Sequence, residues 1–259
     1  MSDNENFIKV VWDRQGAQFG ESHEASWGDI EMIRLEVEQI ASRIPPNSRV
    51  LDIGCANGFS TKLVADATHP EKLFAADFSE SMVETASRVL NGVAPSVRTF
   101  VGDICAVDLP DESVDVCYTI RVVINLPTWE LQKKAICECL RVCRRGGLVL
   151  LSEGFWEPLV RLNSLRMTLG LKPLEEHDFN RYLKQVRLME WLTDLNLKFE
   201  IVEFSSMYYL GSRIARELAT DYKSFAGYSN PINRIFSELG RQYPQCGDIG
   251  VQKLLVINR

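Results

Sequence analysis

Apolar positions between about Arg49 and Glu153 follow two alternating rhythms. Short β-branched runs at Arg49 to Ile53, Lys72 to Asp77, Val97 to Val101, Val114 to Ile120 and Leu148 to Glu153 read as strands. Helical stretches lie between them, starting near Gly58, near Ser79 as an N-cap, and near Thr128; the last ends at the turn Arg144-Arg145-Gly146-Gly147. Such alternation is the signature of a parallel sheet covered on both faces. Ahead of it, Ile30, Ile33, Val37, Ile40 and Ile44 recur at helical spacing, which predicts a leading amphipathic helix before the Pro45-Pro46 break. Beyond it, Asp178 to Asn196 reads as a helix, Lys198 to Phe204 as a sixth strand and Gly250 to Asn258 as a seventh.

The predicted fold is therefore α/β: a Rossmann-like, seven-stranded, mostly parallel sheet with helices on both faces. The first 29 residues are expected to project as an arm. Two further stretches, about 154–177 and 205–248, are too long for simple loops and are expected to be lids or small helical inserts over the strand ends.

Composition narrows the class. With 29 Lys plus Arg against 35 Asp plus Glu and 46% apolar residues, the chain is neither disordered nor a disulfide miniprotein. A net charge of -6 argues against a nucleic-acid partner, which needs cations to neutralise phosphates. No apolar run approaches the roughly 20 residues that span a bilayer, and Met1 to Asn6 has no targeting signature, so no membrane partner is expected. Seven Cys, mostly inside apolar runs, fit a reducing cytoplasm. Cys139 and Cys143 are four apart on a helix, but no CxxC pair or nearby His completes a zinc set, and no metal is expected.

The chemistry begins at Val50-Leu51-Asp52-Ile53-Gly54-Cys55-Ala56-Asn57-Gly58, a strand entering a glycine turn and then a helix. Gly54 and Gly58 allow the backbone, with Cys55 and Ala56, to approach a ligand closely. Dinucleotides and nucleotides also use such turns, but their phosphates would face the carboxylate of Asp52. A cationic ligand suits that acid better, and S-adenosylmethionine carries a sulfonium and an ammonium and no phosphate. Asp77, ending the second strand, can accept hydrogen bonds from ribose hydroxyls, with Phe78 and Met82 placed to cover adenine. Asp103, ending the third strand, can accept from the adenine amino group, with Ile104 on the ring face.

In these segments, VLDIGCANG, FAADFSESMVETA, VGDICAVDLPDESVDVCYTI and LRVCRRGGLVLLSE, residues 49 to 153 resemble a class I S-adenosylmethionine-dependent methyltransferase. GVQKLLVINR resembles that family's terminal antiparallel strand, while Ala56 stands where the family often has Gly. The resemblance implies a cofactor-binding methyltransferase domain over 47–259. Residues 1–46, the arm and leading helix, would then cap the cofactor, since Trp12, Gly16, Phe19, Gly20, His23, Trp27 and Gly28 crowd into 17 residues; docking of an ordinary tail is the competing explanation.

Methyl transfer is an in-line displacement, so a base is optional and leaves a faint trace in sequence. Arg121, after the fourth strand, could hold the cofactor carboxylate or an acidic substrate group, or form a surface ion pair. His177 is the best general base by intrinsic pKa, and Glu153, ending the fifth strand, is better placed and could be base or anchor. The expected function is methyl transfer from S-adenosylmethionine, leaving S-adenosylhomocysteine, to oxygen or nitrogen of a small or medium soluble molecule. The alternatives are a protein or nucleic-acid methyltransferase, a non-catalytic cofactor-binding regulator and an NAD(P)-dependent oxidoreductase. The pattern carries no statement of oligomeric state.

Overall fold

The computed structural model describes residues 3–219 and 227–259, so part of the expected 205–248 insertion, residues 220–226, lies outside the described residues. Seven strands, β1 (Arg49–Ile53), β2 (Lys72–Asp77), β3 (Ser96–Val101), β4 (Val114–Ile120), β5 (Cys143–Gly154), β6 (Lys198–Glu203) and β7 (Gln252–Asn258), form one sheet in the order β3-β2-β1-β4-β5-β7-β6. The pairs β3-β2, β2-β1, β1-β4 and β4-β5 are parallel, and β7 runs antiparallel to both β5 and β6. Successive residues of the central strands face opposite cores, as the two-residue period of a strand requires: Val50, Val116 and Leu150 join one cluster, Leu51, Cys117 and Leu151 the other. The helices α2 (Ile30–Ala41), α3 (Phe59–Thr68) and α4 (Glu80–Val89) cover the first, and α5 (Trp129–Val142) and α7 (Gln185–Asp194) cover the second. Ser79 and Thr128 cap α4 and α5 through their side chains, as their positions in sequence predict.

Three expectations are corrected, and the helical inserts are found. Among the described residues, 3–29 do not project: α1 (Asp3–Phe19) lies against α4, and Gly16 permits that approach, because a Cβ there would stand 2.9 Å from Ser81 Oγ. The turn at 144–147 is built into an extended β5, with Gly146 N–H donating to Arg259 O (2.7 Å) and Arg259 N–H donating to Gly147 O (3.1 Å). The helix expected from Asp178 starts at Gln185, because the backbone before it is engaged elsewhere: Arg181 N–H donates to Ile124 O (2.6 Å) and Leu183 N–H to Gly154 O (2.9 Å). The two insertions are largely helical. The first carries α6 (Trp156–Thr168); the second carries α8 (Ser206–Leu210), a π-turn over Gly211–Ala215, α9 (Arg216–Leu218) and α10 (Pro231–Gln242). Among the described residues no helix is long and apolar enough to cross a membrane.

Candidate active site

The strand order reverses between β1 and β4, and a crevice opens beyond the carboxyl ends of a doubly wound sheet at such a switch point. Here it is a cavity of about 770 Å³, within the usual range of small-molecule sites. Its floor is Gly54, Ala56, Asp77, Phe78, Met82, Asp103 and Ile104, from the tips of β1, β2 and β3. Its far wall comes from the two insertions, and Trp12 and Trp27 line it from the N-terminal segment.

The glycine turn is tightly set. Gly54 has φ +90° and its N–H donates to Ala76 O (2.7 Å); a Cβ there would lie 2.2 Å from Val122 Cγ2. Ala56, where the resemblance favours Gly, sits at φ 45° and donates its N–H to Asp77 Oδ2 (2.8 Å). Asp77 Oδ1 accepts from Ser79 N–H (2.9 Å), and burial raises its pKa against these two bonds. Each carboxylate oxygen keeps a lone pair for a hydroxyl donor, and Asp77 faces the cavity, so the site fits an adenosine ribose. Asp103 also faces the cavity, with Oδ1 accepting from Cys105 N–H (2.8 Å). Met82 is fully buried and Ile104 nearly so, which gives the floor an apolar surface for a ring.

Three residues expected to touch the ligand lie behind the turn instead. Asp52 is buried, accepts from Thr61 Oγ1 (2.7 Å) and opens only into a crevice of about 20 Å³; burial lifts its pKa to about 7. Cys55 is buried in the same place, and its thiol is pushed up by burial. Gly58 is the left-handed N-cap of α3, packed against Ala86. All three shape the loop from beneath.

Glu153 is corrected as a candidate base. It is fully buried and does not line the cavity; Oε1 accepts from Thr119 Oγ1 (2.8 Å), Val122 N–H (3.1 Å) and Val123 N–H (3.0 Å), and Oε2 from Ile124 N–H (3.2 Å). It is the anchor of the turn after β4. That turn presents Arg121 at φ 58°, where the guanidinium lines the cavity, stacks over Trp27 (4.4 Å) and pairs with Glu36. Glu36 is completely buried, and desolvation, opposed by Arg121, raises its pKa to about 7. His177 is exposed at the cavity rim, its ring stacked on Phe179 at 5.6 Å and 6°.

Several functional positions had no visible signal in sequence. Asn57, 1% exposed, donates through Nδ2 to Gly20 O and Ser22 O (both 2.7 Å) and so fastens the N-terminal segment over the glycine turn. Asp29, just before the leading helix, and Glu36, on it, hold Arg213 and Arg121 at the cavity wall. The groups that could hold a metal do not cluster: no set of three His, Cys, Asp or Glu is assembled among the described residues.

A doubly wound sheet with a glycine turn and acids at the tips of β2 and β3 defines an adenosine-binding α/β domain. Residues 50–147 match the family model described as a methyltransferase domain. A probable S-adenosylmethionine-dependent methyltransferase of Mycolicibacterium smegmatis is 33% identical over 103 residues, 40% of this chain and 37% of that protein. The ubiquinone biosynthesis O-methyltransferase of Pseudomonas putida is 25% identical over 72% of this chain and 77% of that one. The putative methyltransferase of Haloferax volcanii, solved with the Trm112 methyltransferase activator, shares the fold with a TM-score of 0.62 at 16% identity, over 95% of this chain and 96% of that one. Over residues 50–147 this chain is thus similar to S-adenosylmethionine-dependent methyltransferase domains. The match covers only about a third of the length of several of the curated relatives.

Proposed function

We propose that the protein transfers the methyl group of S-adenosylmethionine to an oxygen or nitrogen of a small or medium-sized molecule. The observation that carries this reading is one continuous cavity, lined by Asp77, Asp103 and Met82 and also by Tyr182, Tyr209 and Arg213. Asp77 would hold the ribose hydroxyls, Asp103 the adenine amino group, and Phe78, Met82 and Ile104 the ring faces. S-adenosylmethionine supplies an electrophilic methyl on a sulfonium. The protein's task is then to align the acceptor and exclude water, which can lower the barrier by roughly 7–11 kcal/mol with no covalent intermediate. The N-terminal segment contributes to that exclusion by closing over the turn through Asn57. Should the acceptor be a hydroxyl, His177 at the rim is a residue in reach of the cavity that can take its proton. The buried, free cysteines fit a reducing compartment such as the cytoplasm.

Isothermal titration tests the cofactor: S-adenosylmethionine and S-adenosylhomocysteine bind, NAD does not, and Asp77→Ala weakens binding by about 1.5–3 kcal/mol, the worth of a hydrogen bond to a charged group. Equal affinity for NAD would overturn the reading. Transfer of a tritiated methyl group into fractionated metabolite extract, against protein and RNA fractions, tests the acceptor class.

A further inference from the structure

The far end of the cavity holds two polar groups that the protein itself leaves unanswered. Arg213, 8% exposed and lining the cavity, pairs through Nη2 with Asp29 Oδ2 (2.9 Å), while Nη1 is buried with no hydrogen-bond partner. Asp29 neutralises it incompletely, because Asp29 Oδ1 is engaged by Met32 N–H (3.3 Å) and the Tyr208 hydroxyl, and only one oxygen meets the guanidinium. Asn180, 7% exposed and lining the same cavity, has a buried Oδ1 that also lacks a partner. A buried donor or acceptor left unmet is costly, more so when charged, and calls for a partner; at a cavity wall a ligand can supply it. The surroundings of these groups are aromatic: Arg213 stacks on Tyr209 (5.3 Å) and Tyr228 (5.6 Å), and Tyr182 and Phe179 line the same wall. Arg121, paired through Nη1 with Glu36, and Lys134 also line the cavity; Arg213 Nη1 is the donor among these cations that is buried and without a partner.

Building on the methyltransferase reading above, we infer that Arg213 Nη1 and Asn180 Oδ1 form an acceptor subsite for an aromatic carboxylate that also bears a hydroxyl or amino group. Arg213 takes the carboxylate in a charge-assisted bond, the tyrosine rings take the aromatic plane, and Asn180 accepts the hydroxyl or amino hydrogen. One donor and one acceptor thereby become satisfied together, and the ring is held in one orientation.

The experiment measures binding to the intact protein saturated with S-adenosylhomocysteine. The probes are ortho, meta and para hydroxybenzoate, their hydroxybenzamides, and benzoate, followed by calorimetry or by quenching of tryptophan fluorescence, since Trp12 and Trp27 line the cavity. At least one hydroxybenzoate should bind about 10- to 100-fold more tightly than its amide, the range of a hydrogen bond to a charged group. Arg213→Gln should abolish that preference with S-adenosylhomocysteine affinity unchanged, and Asn180→Ala should make hydroxybenzoate and benzoate equivalent. The wild-type selectivity needs no variant, so the inference stays testable even if loss of the Asp29 partner unfolds Arg213→Gln. Equal binding of acid and amide by the wild type would overturn it, as would an Arg213→Gln protein that loses S-adenosylhomocysteine instead, because Arg213 would then hold the cofactor carboxylate. Absence of S-adenosylhomocysteine binding overturns the methyltransferase reading itself; cofactor binding without acid preference overturns this subsite alone.

Discussion

Glu153→Gln separates a scaffold from a catalyst. In the folded protein the two carboxylate oxygens accept from three backbone N–H groups and one hydroxyl, all buried. An amide in its place must turn an NH₂ group toward at least one of those donors. The cheaper orientation replaces Oε2 and orphans only the Ile124 N–H, at about 1–3 kcal/mol for an unmet buried donor. The other three bonds lose their charge assistance, which about halves each. Together these give a loss of roughly 2–5 kcal/mol, a large share of the about 5–15 kcal/mol that holds a domain folded. Urea denaturation should therefore show a clearly lowered midpoint with an unchanged slope. The folded variant should still bind S-adenosylhomocysteine, because Asp77 ends β2 and Asp103 follows β3, away from Glu153 on β5. A variant with the wild-type midpoint and turnover lowered more than about 10²-fold would refute this reasoning and return Glu153 to the role of a general base.

Asn57→Ala removes both bonds to the N-terminal segment; stability should fall by about 1–3 kcal/mol and S-adenosylhomocysteine should bind more weakly, as read by calorimetry, whereas unchanged affinity would mean that the segment does not close the site. Glu36 and Asp52 both have folded pKa values raised to about 7, so the stability linked to their protonation is full below about pH 4 and lost as the pH rises through 7, at up to about 3–4 kcal/mol each. Glu36→Gln should flatten the fall in denaturation midpoint between pH 5 and pH 8, and an unaltered pH profile would show that Glu36 does not titrate there. His177→Ala should lower turnover by at most the about 10²–10⁴ of a general base, and a pH-rate profile governed by one ionisation near neutrality that vanishes in this variant would establish base-assisted transfer to oxygen.

The sheet was legible because its strands obey local rules. β1, β2 and β4 have the bounds that their β-branched runs indicate, and Ser79 and Thr128 cap the helices expected of them. Where long-range pairing competes with local pattern, the reading failed: the apolar residues of 178–184 look helical in isolation, but hydrogen bonds to Ile124 and Gly154 hold them extended. α1 left little trace because its packing on α4 depends on close approach at Gly16 rather than on an apolar stripe. In the site, strand-end acids are visible from sequence, but which of them faces the cavity is decided by the direction of each side chain. Asp52 precedes the turn and points beneath it, while Asp77 ends its strand and lines the opening. Glu153 is likewise at a strand end, and only the three N–H groups converging on it reveal a structural acid.

The leading helix explains why an acidic protein keeps so many charges inside. Asp29 caps α2 and holds Tyr208 and Arg213; Glu31 accepts from Ser237 of α10 (2.8 Å); Glu36 takes Arg121 and Ser152; Glu38 pairs with Arg241 at the end of α10. The apolar stripe of the same helix packs on the sheet, so one element reads the core with one face and the second insertion with the other. Buried ion pairs contribute little net stability, because desolvation offsets most of the attraction. Replacing Glu36 and Arg121 together by apolar residues of similar volume would thus cost the fold little, whereas removing one alone leaves an unpaired buried charge. What the pairs supply is position. Asp29 fixes Arg213 and Glu36 fixes Arg121 at the cavity wall. A reaction that proceeds by alignment depends on such fixed positions, since displacement of the acceptor by about 1 Å can cost on the order of 10² in rate.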